Sequence, residues 1–428
     1  MQVGARGFAG PRRIDMLRAM RRTLALALWL ASPARAAEPL RLDEVIERVV
    51  ARGPDQAVAA GQAEVARAEV KTARMLPNPV FLVGAGKSEP QLNFALTQRL
   101  PIFGQRGAAI RAAERGYAQA RAEAESTRWK LRRDGRVAYY AAERAAEEVS
   151  IAEAVEALTR RIAEIAAKRF EAGAGTRLEK EQGSLLHVRA LQDVSDRRAA
   201  ARLARLELLR LLGATEAEVG ALVDPLEVVG PTPPLAELLE NARSHHPSLV
   251  ALVAEREATL ARAESARAER RPVPSLEIGA ELLNGGPNGS CGGSASCFGP
   301  RGALSFDLPI LSLNGGPIAR AEAEARLADL KLNAATVRVN AEVQSAWESF
   351  QAATARARFF DAEYVPAATS VEQMAREGFT EGKTGLLPLI EAERAVLEAR
   401  VGKAEAMFTV QSARADLEEA SGVPLSAP

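Results

Sequence analysis

The chain has 428 residues, of which 26% are charged and only 4% are aromatic, and its formal net charge is +1. This balance does not favour a nucleic-acid partner, which requires a concentrated basic surface, and the length allows roughly two or three ordinary globular domains. The scarcity of aromatic residues, beside abundant Ala, Arg, Glu and Leu, predicts long helices packed on one another.

The N-terminal segment has the features of a secretory signal peptide. Arg21 and Arg22 precede the apolar run 24–31, and small residues up to Ala36 suit cleavage. We predict removal of residues 1–36, which changes the formal net charge from +1 to −5 because the segment contains seven arginines and one aspartate. The run is too short for a stable transmembrane helix, an ordinary buried helix is the alternative, and no cysteine follows it as a lipoprotein anchor would require.

The two halves of the chain carry the same sequence signals in the same order. The offset between matching positions is 193 at Leu42, 208 at Leu100 and 209 at Gly213, and a 13-residue excess between Pro274 and Leu308 accounts for most of the drift. A unit of this size is too long for a solenoid repeat, so we predict one large duplicated unit. The predicted repeats are residues 37–230 and 231–428.

Each repeat is predicted to begin with two helices and to end with two longer ones. Pro-x-Pro stops the second helix, and Gly213 or Gly422 follows the last one. The predicted helical regions are 42–52, 55–75, 105–213, 235–245, 248–269 and 315–422, the two long regions each including a reversal.

The long helices carry apolar lines at coiled-coil spacing. No proline occurs between Gln105 and Phe170, whereas Pro366 predicts a kink in the matching helix of the second repeat. The predicted packing lines are Ile151, Val155, Leu158, Ile162 and Ile165 in the first repeat, and Val339, Val343, Trp347 and Phe350 in the second.

Alternation of apolar and polar residues predicts one β-hairpin in each repeat, at about 79–100 and 274–308. On the polar face we expect Glu277, Glu281 and Asp307 to line a wet lumen. Four strands cannot close a barrel, but three chains would supply twelve strands with lipid-facing apolar residues. The alternative is a small sheet packed under the helices of one chain.

The duplicated order of helix, helix, hairpin, long helix and helix resembles the TolC-like outer-membrane efflux proteins. The resemblance covers residues 38–425 and includes a Phe-x-x-Gly turn between long helices, at 170–173 and 379–382. The stretches 76–79 and 100–107 are most similar to the heavy-metal division of that family.

This resemblance implies a homotrimer with a twelve-strand β-barrel in the outer membrane, in contact with its lipid, and a twelve-helix α-barrel in the periplasm. It implies a passive exit duct for heavy-metal cations, which a periplasmic adaptor protein and an inner-membrane RND-type pump deliver. The alternatives are a duct for drugs or other small molecules, a periplasmic coiled-coil adaptor or structural protein, and an autonomous adhesin or porin.

The resemblance places a gate or an adaptor contact at the two turns between the long helices. A ring of three identical charges selects against ions of like charge, whereas ordinary solvated turn charges are the alternative. The candidates are Glu171, Gly173, Gly175, Arg177, Glu179, Glu381, Gly382, Lys383 and Gly385.

The two cysteines, Cys291 and Cys297, predict a disulfide in an exported protein. Metal capture by the two thiolates is the alternative, but a lone pair of thiolates is an incomplete site. The sequence has no phosphate-binding loop, no Gly-x-Ser-x-Gly and no metal-ligand cluster. We therefore expect no cofactor and no enzymatic activity.

Overall fold

Each repeat contains two short helices, a β-hairpin and two long helical regions, and the first long region of the second repeat is divided into two helices. The protein is therefore mainly helical with a small sheet, as the sequence predicts. The computed structural model describes residues 39–86, 92–226, 233–284, 296–307, 313–381, 383–384 and 386–425. The predicted signal peptide lies outside these residues, and so does Leu308, the counterpart of Leu100 in the second repeat.

The predicted elements appear in the predicted order in both repeats. The first repeat contains α1 (Leu42–Arg52), α2 (Pro54–Arg74), β1 (Val80–Ala85), β2 (Leu92–Arg99), α3 (Gln105–Glu171) and α4 (Arg177–Leu212). The second contains α5 (Leu235–His245), α6 (Pro247–Ala268), β3 (Val273–Asn284), β4 (Ser296–Asp307), α7 (Gly315–Phe359), α8 (Val365–Thr380) and α9 (Leu386–Ser421).

Proline and glycine set the helix ends. Pro54 and Pro247 are the first residues of α2 and α6, where a missing N–H removes no helical hydrogen bond. Gly213 and Gly422 follow α4 and α9 with φ of 60° and 68°, a left-handed conformation that glycine adopts without steric cost. No helix among the described residues is both long and apolar enough to cross a membrane.

A π-helical turn, Phe360–Tyr364, joins α7 to α8. The predicted irregularity at Pro366 therefore lies just before the proline, because the proline ring crowds the preceding turn and its nitrogen donates no hydrogen bond. The turn packs against Gly402 of α9, where any side chain would overlap the ring of Phe360.

Each repeat has its own hydrophobic core, and the two cores use equivalent positions. Short helices α1 and α5 each place apolar side chains against the long helices of their own repeat. The duplication is therefore present in the packing of the two cores as well as in the sequence. The equivalent buried pairs are Val45 and Leu238, Leu131 and Val339, and Leu208 and Leu417.

The predicted heptad line on α3 is only partly buried. Ile151 and Ile162 are buried, but Ile165 is 38% exposed, and the contact with Gly183 of α4 is made by Ala163 and Ala166 instead. Eleven residues separate Ile151 from Ile162, a spacing close to the 3.6-residue period, so the buried side of α3 drifts away from a strict heptad. The stripe on α7 is confirmed at Val339, Val343 and Phe350, which are fully buried, while Trp347 is half-buried.

Arginines of α3 contact carboxylates of α9 and thereby link the two repeats. Arg136 lies 3.2 Å from Glu418, and both side chains are almost fully buried. Burial lowers the pKa of Arg136. Arg144 pairs with Glu405, and its guanidinium lies 4.6 Å from the ring centre of Phe408.

Tyr139 connects the start of the described chain to the first core. Its hydroxyl accepts hydrogen bonds from the backbone N–H of Val223, at 3.1 Å, and of Asp224, at 3.0 Å. The same hydroxyl donates to the carbonyl of Leu40 at 3.1 Å. Burial raises the pKa of Tyr139, so the proton that this last bond requires is retained.

We expect Tyr139→Phe to lower the free energy of unfolding by about 2–3 kcal/mol, because two N–H groups and one carbonyl lose their buried partner. Chemical denaturation of the purified protein measures the change. Tyr140→Phe is the matched control, since Tyr140 is also buried but its hydroxyl makes no hydrogen bond within the described residues. Equal losses in both variants would contradict the assigned role.

Candidate functional site

The two hairpins form one antiparallel sheet with the strand order β1-β2-β3-β4. The sequence predicts each hairpin but not their union. Strand β2 of the first repeat pairs with β3 of the second, with Leu96 opposite Ile278 and Thr97 opposite Glu277. Paired residues in an antiparallel sheet lie on the same face, so the apolar sides of both hairpins become one continuous surface.

The apolar face of this sheet is exposed. Among the described residues no helix packs across it, so the alternative of a sheet under helices is not what the chain adopts. Ile278 is 63% exposed and Leu304 is 59% exposed. In β1, both faces are apolar, which explains why its alternation is weak in the sequence. The apolar side chains on this face are Phe81, Val83, Leu92, Phe94, Leu96, Leu276, Ile278, Leu282, Phe298, Leu304 and Phe306.

The opposite face of the sheet carries ion pairs between neighbouring strands. Nε of Arg301 lies 3.2 Å from Oε1 of Glu277, and Nη1 of the same residue lies 3.7 Å from Oε2 of Glu281. Arg99 reaches Asp307 at 3.2 Å. The three predicted carboxylates therefore lie on one polar face, as expected.

Each of these carboxylates forms an ion pair with an arginine. The sequence predicts the carboxylates but not their arginine partners. Arg301 follows the alternation of β4 and so had a detectable signal, whereas Arg99 lies on β2, 208 residues before Asp307. Two arginines opposite three carboxylates leave the described polar face with one excess negative charge per chain. The face is thus wet and nearly balanced rather than strongly acidic.

Cys297 is the second residue of β4 and is disulfide-bonded. Cys291 lies outside the described residues. Among the described residues, no group of three or more His, Cys, Asp or Glu side chains is placed to hold a metal ion.

The first turn between long helices lies at the far end of α3 from the sheet. Glu171 ends α3, Gly173 reverses the chain with φ of 70°, and Arg177 begins α4. Glu171 and Arg177 are exposed and make no ion pair within the described residues. Gly175 lies in the turn, close to Glu179.

Glu179 caps the helix that follows this turn. The backbone N–H of Glu179 donates to Oγ1 of Thr176 at 3.2 Å, and the N–H of Thr176 donates to Oε2 of Glu179 at 3.0 Å. This reciprocal capping box gives Glu179 a structural role beside its predicted gating role. The spacing Thr-x-x-Glu is the sequence signal that could have identified it.

The second turn follows α8. Nζ of Lys383 lies 2.6 Å from Oε2 of Glu381, so these two candidates neutralise each other. The N–H groups of Lys383 and Thr384 both donate to the carbonyl of Gly378. The candidates Gly382 and Gly385 lie outside the described residues.

The sheet and the turns are separated by the length of α3. Its 67 residues correspond to roughly 100 Å of helix. The predicted site residues therefore form two groups, one on the polar sheet face and one at the helical tips, and long helices connect them.

A family comparison gives a match over most of the chain. The model of the outer membrane efflux protein family matches residues 45–214 and 238–423. The chain belongs to this family. The two matched segments fall one in each half of the chain.

Individual relatives agree with the family match. The cobalt-zinc-cadmium resistance protein CzcC of Cupriavidus metallidurans is 23% identical over 372 residues, covering 86% of this chain and 87% of that protein. The nickel-cobalt-cadmium resistance protein NccC of Alcaligenes xylosoxydans xylosoxydans is 31% identical over 208 residues, covering 46% of this chain and 47% of that protein. These relatives confirm the resemblance to the heavy-metal division.

The fold also matches a solved channel structure. The CmeC outer membrane channel of Campylobacter jejuni has a TM-score of 0.73 at 15% identity, with 89% of this chain and 85% of that chain covered. The fold is therefore TolC-like. The protein is an outer-membrane efflux channel, located in the cell outer membrane and extending into the periplasm, and its family and fold are those of channels rather than of enzymes.

Two substitutions can separate the effect of the capping box on the first turn of α4 from the effect of the Glu179 charge. We expect Thr176→Ala to speed hydrogen exchange in the first turn of α4 about fivefold, because a lost helix cap costs about 1 kcal/mol. Glu179→Gln should have a much smaller effect, because glutamine also completes a capping box. Exchange followed by mass spectrometry measures both variants. Faster exchange in Glu179→Gln than in Thr176→Ala would mean that the charge, not the cap, orders this tip.

Proposed function

We propose that this protein is the exit duct of a tripartite efflux system and that it works as a homotrimer. A periplasmic adaptor protein and an inner-membrane RND-type pump deliver the substrate, and heavy-metal cations are the substrate class. The duct itself is passive, and the pump supplies the energy. The observation that carries this proposal is the single four-stranded sheet with one exposed apolar face and one polar face.

The sheet edges support a trimer. Strands β1 and β4 are the outer strands of the described sheet, so each has one side of its backbone without a partner strand. Unpaired backbone groups are costly in lipid, and pairing β4 of one subunit with β1 of the next removes every edge. Three subunits then supply twelve strands, with the apolar face toward lipid and the ion-paired face toward water.

The names of the relatives support metal cations as the substrate. CzcC and NccC are named for resistance to cobalt, zinc, cadmium and nickel. A passive duct needs a wet path rather than metal ligands, and the ion-paired face of the sheet supplies such a path. A drug duct with the same fold is the competing function.

The ion pairs on the polar face predict the charge selectivity of the duct. We expect Arg301→Gln to raise the permeability of potassium relative to chloride, because Glu277 and Glu281 lose their counter-ion. The reversal potential of the purified protein in planar bilayers, under a potassium chloride gradient, measures this change.

The matched control for this measurement is Arg48→Gln, which removes an equally charged side chain from α1, where Arg48 pairs with Glu44. It should leave the reversal potential unchanged. An unchanged or more anion-selective Arg301→Gln channel would place these side chains outside the conducting path.

Deletion of the gene tests the substrate. We expect lower tolerance of zinc, cobalt and cadmium, because the pump loses its exit path, and unchanged tolerance of common drugs. Growth inhibition by each compound, with and without the restored gene, measures the effect. Drug hypersensitivity with normal metal tolerance would replace the metal function by the drug function.

A further inference from the structure

The four strand ends that lead to or from helices lie at one end of the described sheet. The chain passes from α2 to β1, from β2 to α3, from α6 to β3 and from β4 to α7 at this end. This junction is where the apolar sheet face stops and the charged helices begin. The function proposed above does not use its side chains.

Three of these connections are held side by side by hydrogen bonds. Nη2 of Arg106, in the first turn of α3, donates to the carbonyl of Arg74 at the end of α2, at 2.6 Å. Nη1 of Arg271 donates to the carbonyl of Phe103 at 2.6 Å. Nε2 of Gln105 donates to the carbonyl of Arg271 at 3.2 Å. The connections therefore form one continuous surface rather than separate loops.

Large apolar side chains lie exposed on this surface. Met75 is 70% exposed, Leu76 58%, Ile102 66% and Phe103 44%. They lie between the sheet and the helices, because Met75 and Leu76 precede β1 whereas Ile102 and Phe103 follow β2.

Basic side chains surround these apolar residues. Lys71, Arg106, Arg270 and Arg271 are all exposed, and none of them makes an ion pair with a carboxylate within the described residues. About half of the other arginines of α3, α4, α7 and α9 do have such a partner, as Arg111 and Arg115 do near the start of α3. We call these four cations, together with Met75, Leu76, Ile102 and Phe103, the junction collar.

The carboxylates beside the junction collar are mostly engaged elsewhere. Glu114 pairs with Arg74 at 2.7 Å, and Glu269 accepts a hydrogen bond from the amide of Asn314 at 3.4 Å. Glu69, on α2, precedes Lys71 by two residues and so points away from it around the helix. The amide of Asn314 is neutral, so Glu269 keeps its negative charge, as does Glu69. The four cations of the collar exceed these two carboxylates, so a net positive charge remains.

We propose that the junction collar binds the anionic headgroups of the phospholipid leaflet that faces the periplasm. The inference rests on the proposed function in placing the apolar sheet face in the membrane, which puts the collar at the depth of the headgroups. Exposed apolar side chains enter the edge of the acyl region, and lysine and arginine extend to the headgroup phosphates. The bound group is a lipid phosphodiester with net negative charge, as in phosphatidylglycerol.

Native mass spectrometry of the detergent-solubilised protein tests this proposal, because it counts bound lipids on the intact assembly. We expect phosphatidylglycerol to bind more tightly than phosphatidylcholine. Each basic residue near an anionic surface contributes roughly fivefold in affinity. The double variant Lys71→Gln/Arg270→Gln should therefore lose at least about tenfold in affinity for phosphatidylglycerol and little for phosphatidylcholine.

This double variant is chosen because neither side chain makes a hydrogen bond within the described residues, so folding should not change. Its matched control is Arg161→Gln/Lys168→Gln, which removes one exposed arginine and one exposed lysine near the opposite end of α3. The control should keep the preference for phosphatidylglycerol. Arg106→Gln/Arg271→Gln, which also removes two backbone contacts, provides a second test of the collar.

The outcomes separate this inference from the proposed function. Equal binding of the two lipids, or a preference that survives in both collar variants, would overturn the collar. If inorganic phosphate displaced phosphatidylglycerol at equal concentration, the collar would be a site for free phosphate rather than for a lipid leaflet. That result would also overturn the proposal. A monomeric mass for the wild-type protein would contradict the proposed trimer. Channel conductance should stay unchanged in the collar variants, because the collar lies outside the conducting path.

Discussion

The pairing of β2 with β3 is the constraint on which the rest of the structure depends. It joins strands from two repeats into one sheet, and the register of Leu96 with Ile278 places most of the large apolar side chains of both hairpins on the same side. A sheet that exposes a continuous apolar face to water is unfavourable by roughly 25 cal/mol for each Å² of that face. No helix of the described chain relieves this cost, because all helices leave the sheet from one end. The fold is therefore complete only where lipid covers that face. In the trimer that we propose, neighbouring sheets would also cover the edges.

The long helices must remain packed side by side over a long distance, although no large core runs along their described residues. The two hydrophobic cores lie in corresponding parts of the repeats, and small side chains such as Ala166 and Gly183 allow close contact elsewhere. Ion pairs between α3 and α9 add little stability, because exposed pairs contribute roughly 0.2–1 kcal/mol. The buried pair of Arg136 and Glu418 also loses hydration, as the lowered pKa of Arg136 indicates. Such pairs are better understood as fixing the register between the repeats.

The sequence predicted those features that depend on neighbouring residues. Prolines and glycines gave the helix ends, and alternation gave the strands, because both signals act over a few residues. The union of the hairpins depends on residues about 180 positions apart, such as Thr97 and Glu277, and no local pattern encodes that distance. The pairing of Arg99 with Asp307 was missed for the same reason, since the two residues lie in different repeats. Arg301 pairs within its own hairpin and follows the alternation of β4, so its signal was present in the sequence. Glu179 is similar to Arg301 in this respect, because its Thr-x-x-Glu signal was present but was interpreted only as charge.

The long helices pack more closely near the cores than near the tips. At the level of Arg144 and Glu405, α3, α9 and the π-helical turn are in close contact through Phe408 and Gly402. Beyond that level, toward the tips, a groove of about 550 Å³ separates α3 and α4 from α9. Its walls are mixed, and the apolar side chains among them lack the dispersion contacts that a filled core would supply. Apolar side chains facing it include Ile151, Val155, Leu158, Ile162, Ile390, Leu397 and Val401. Separating the two helical hairpins therefore costs less at the tips than at the cores, and the close contacts at Arg144 limit how far such a movement extends toward the sheet.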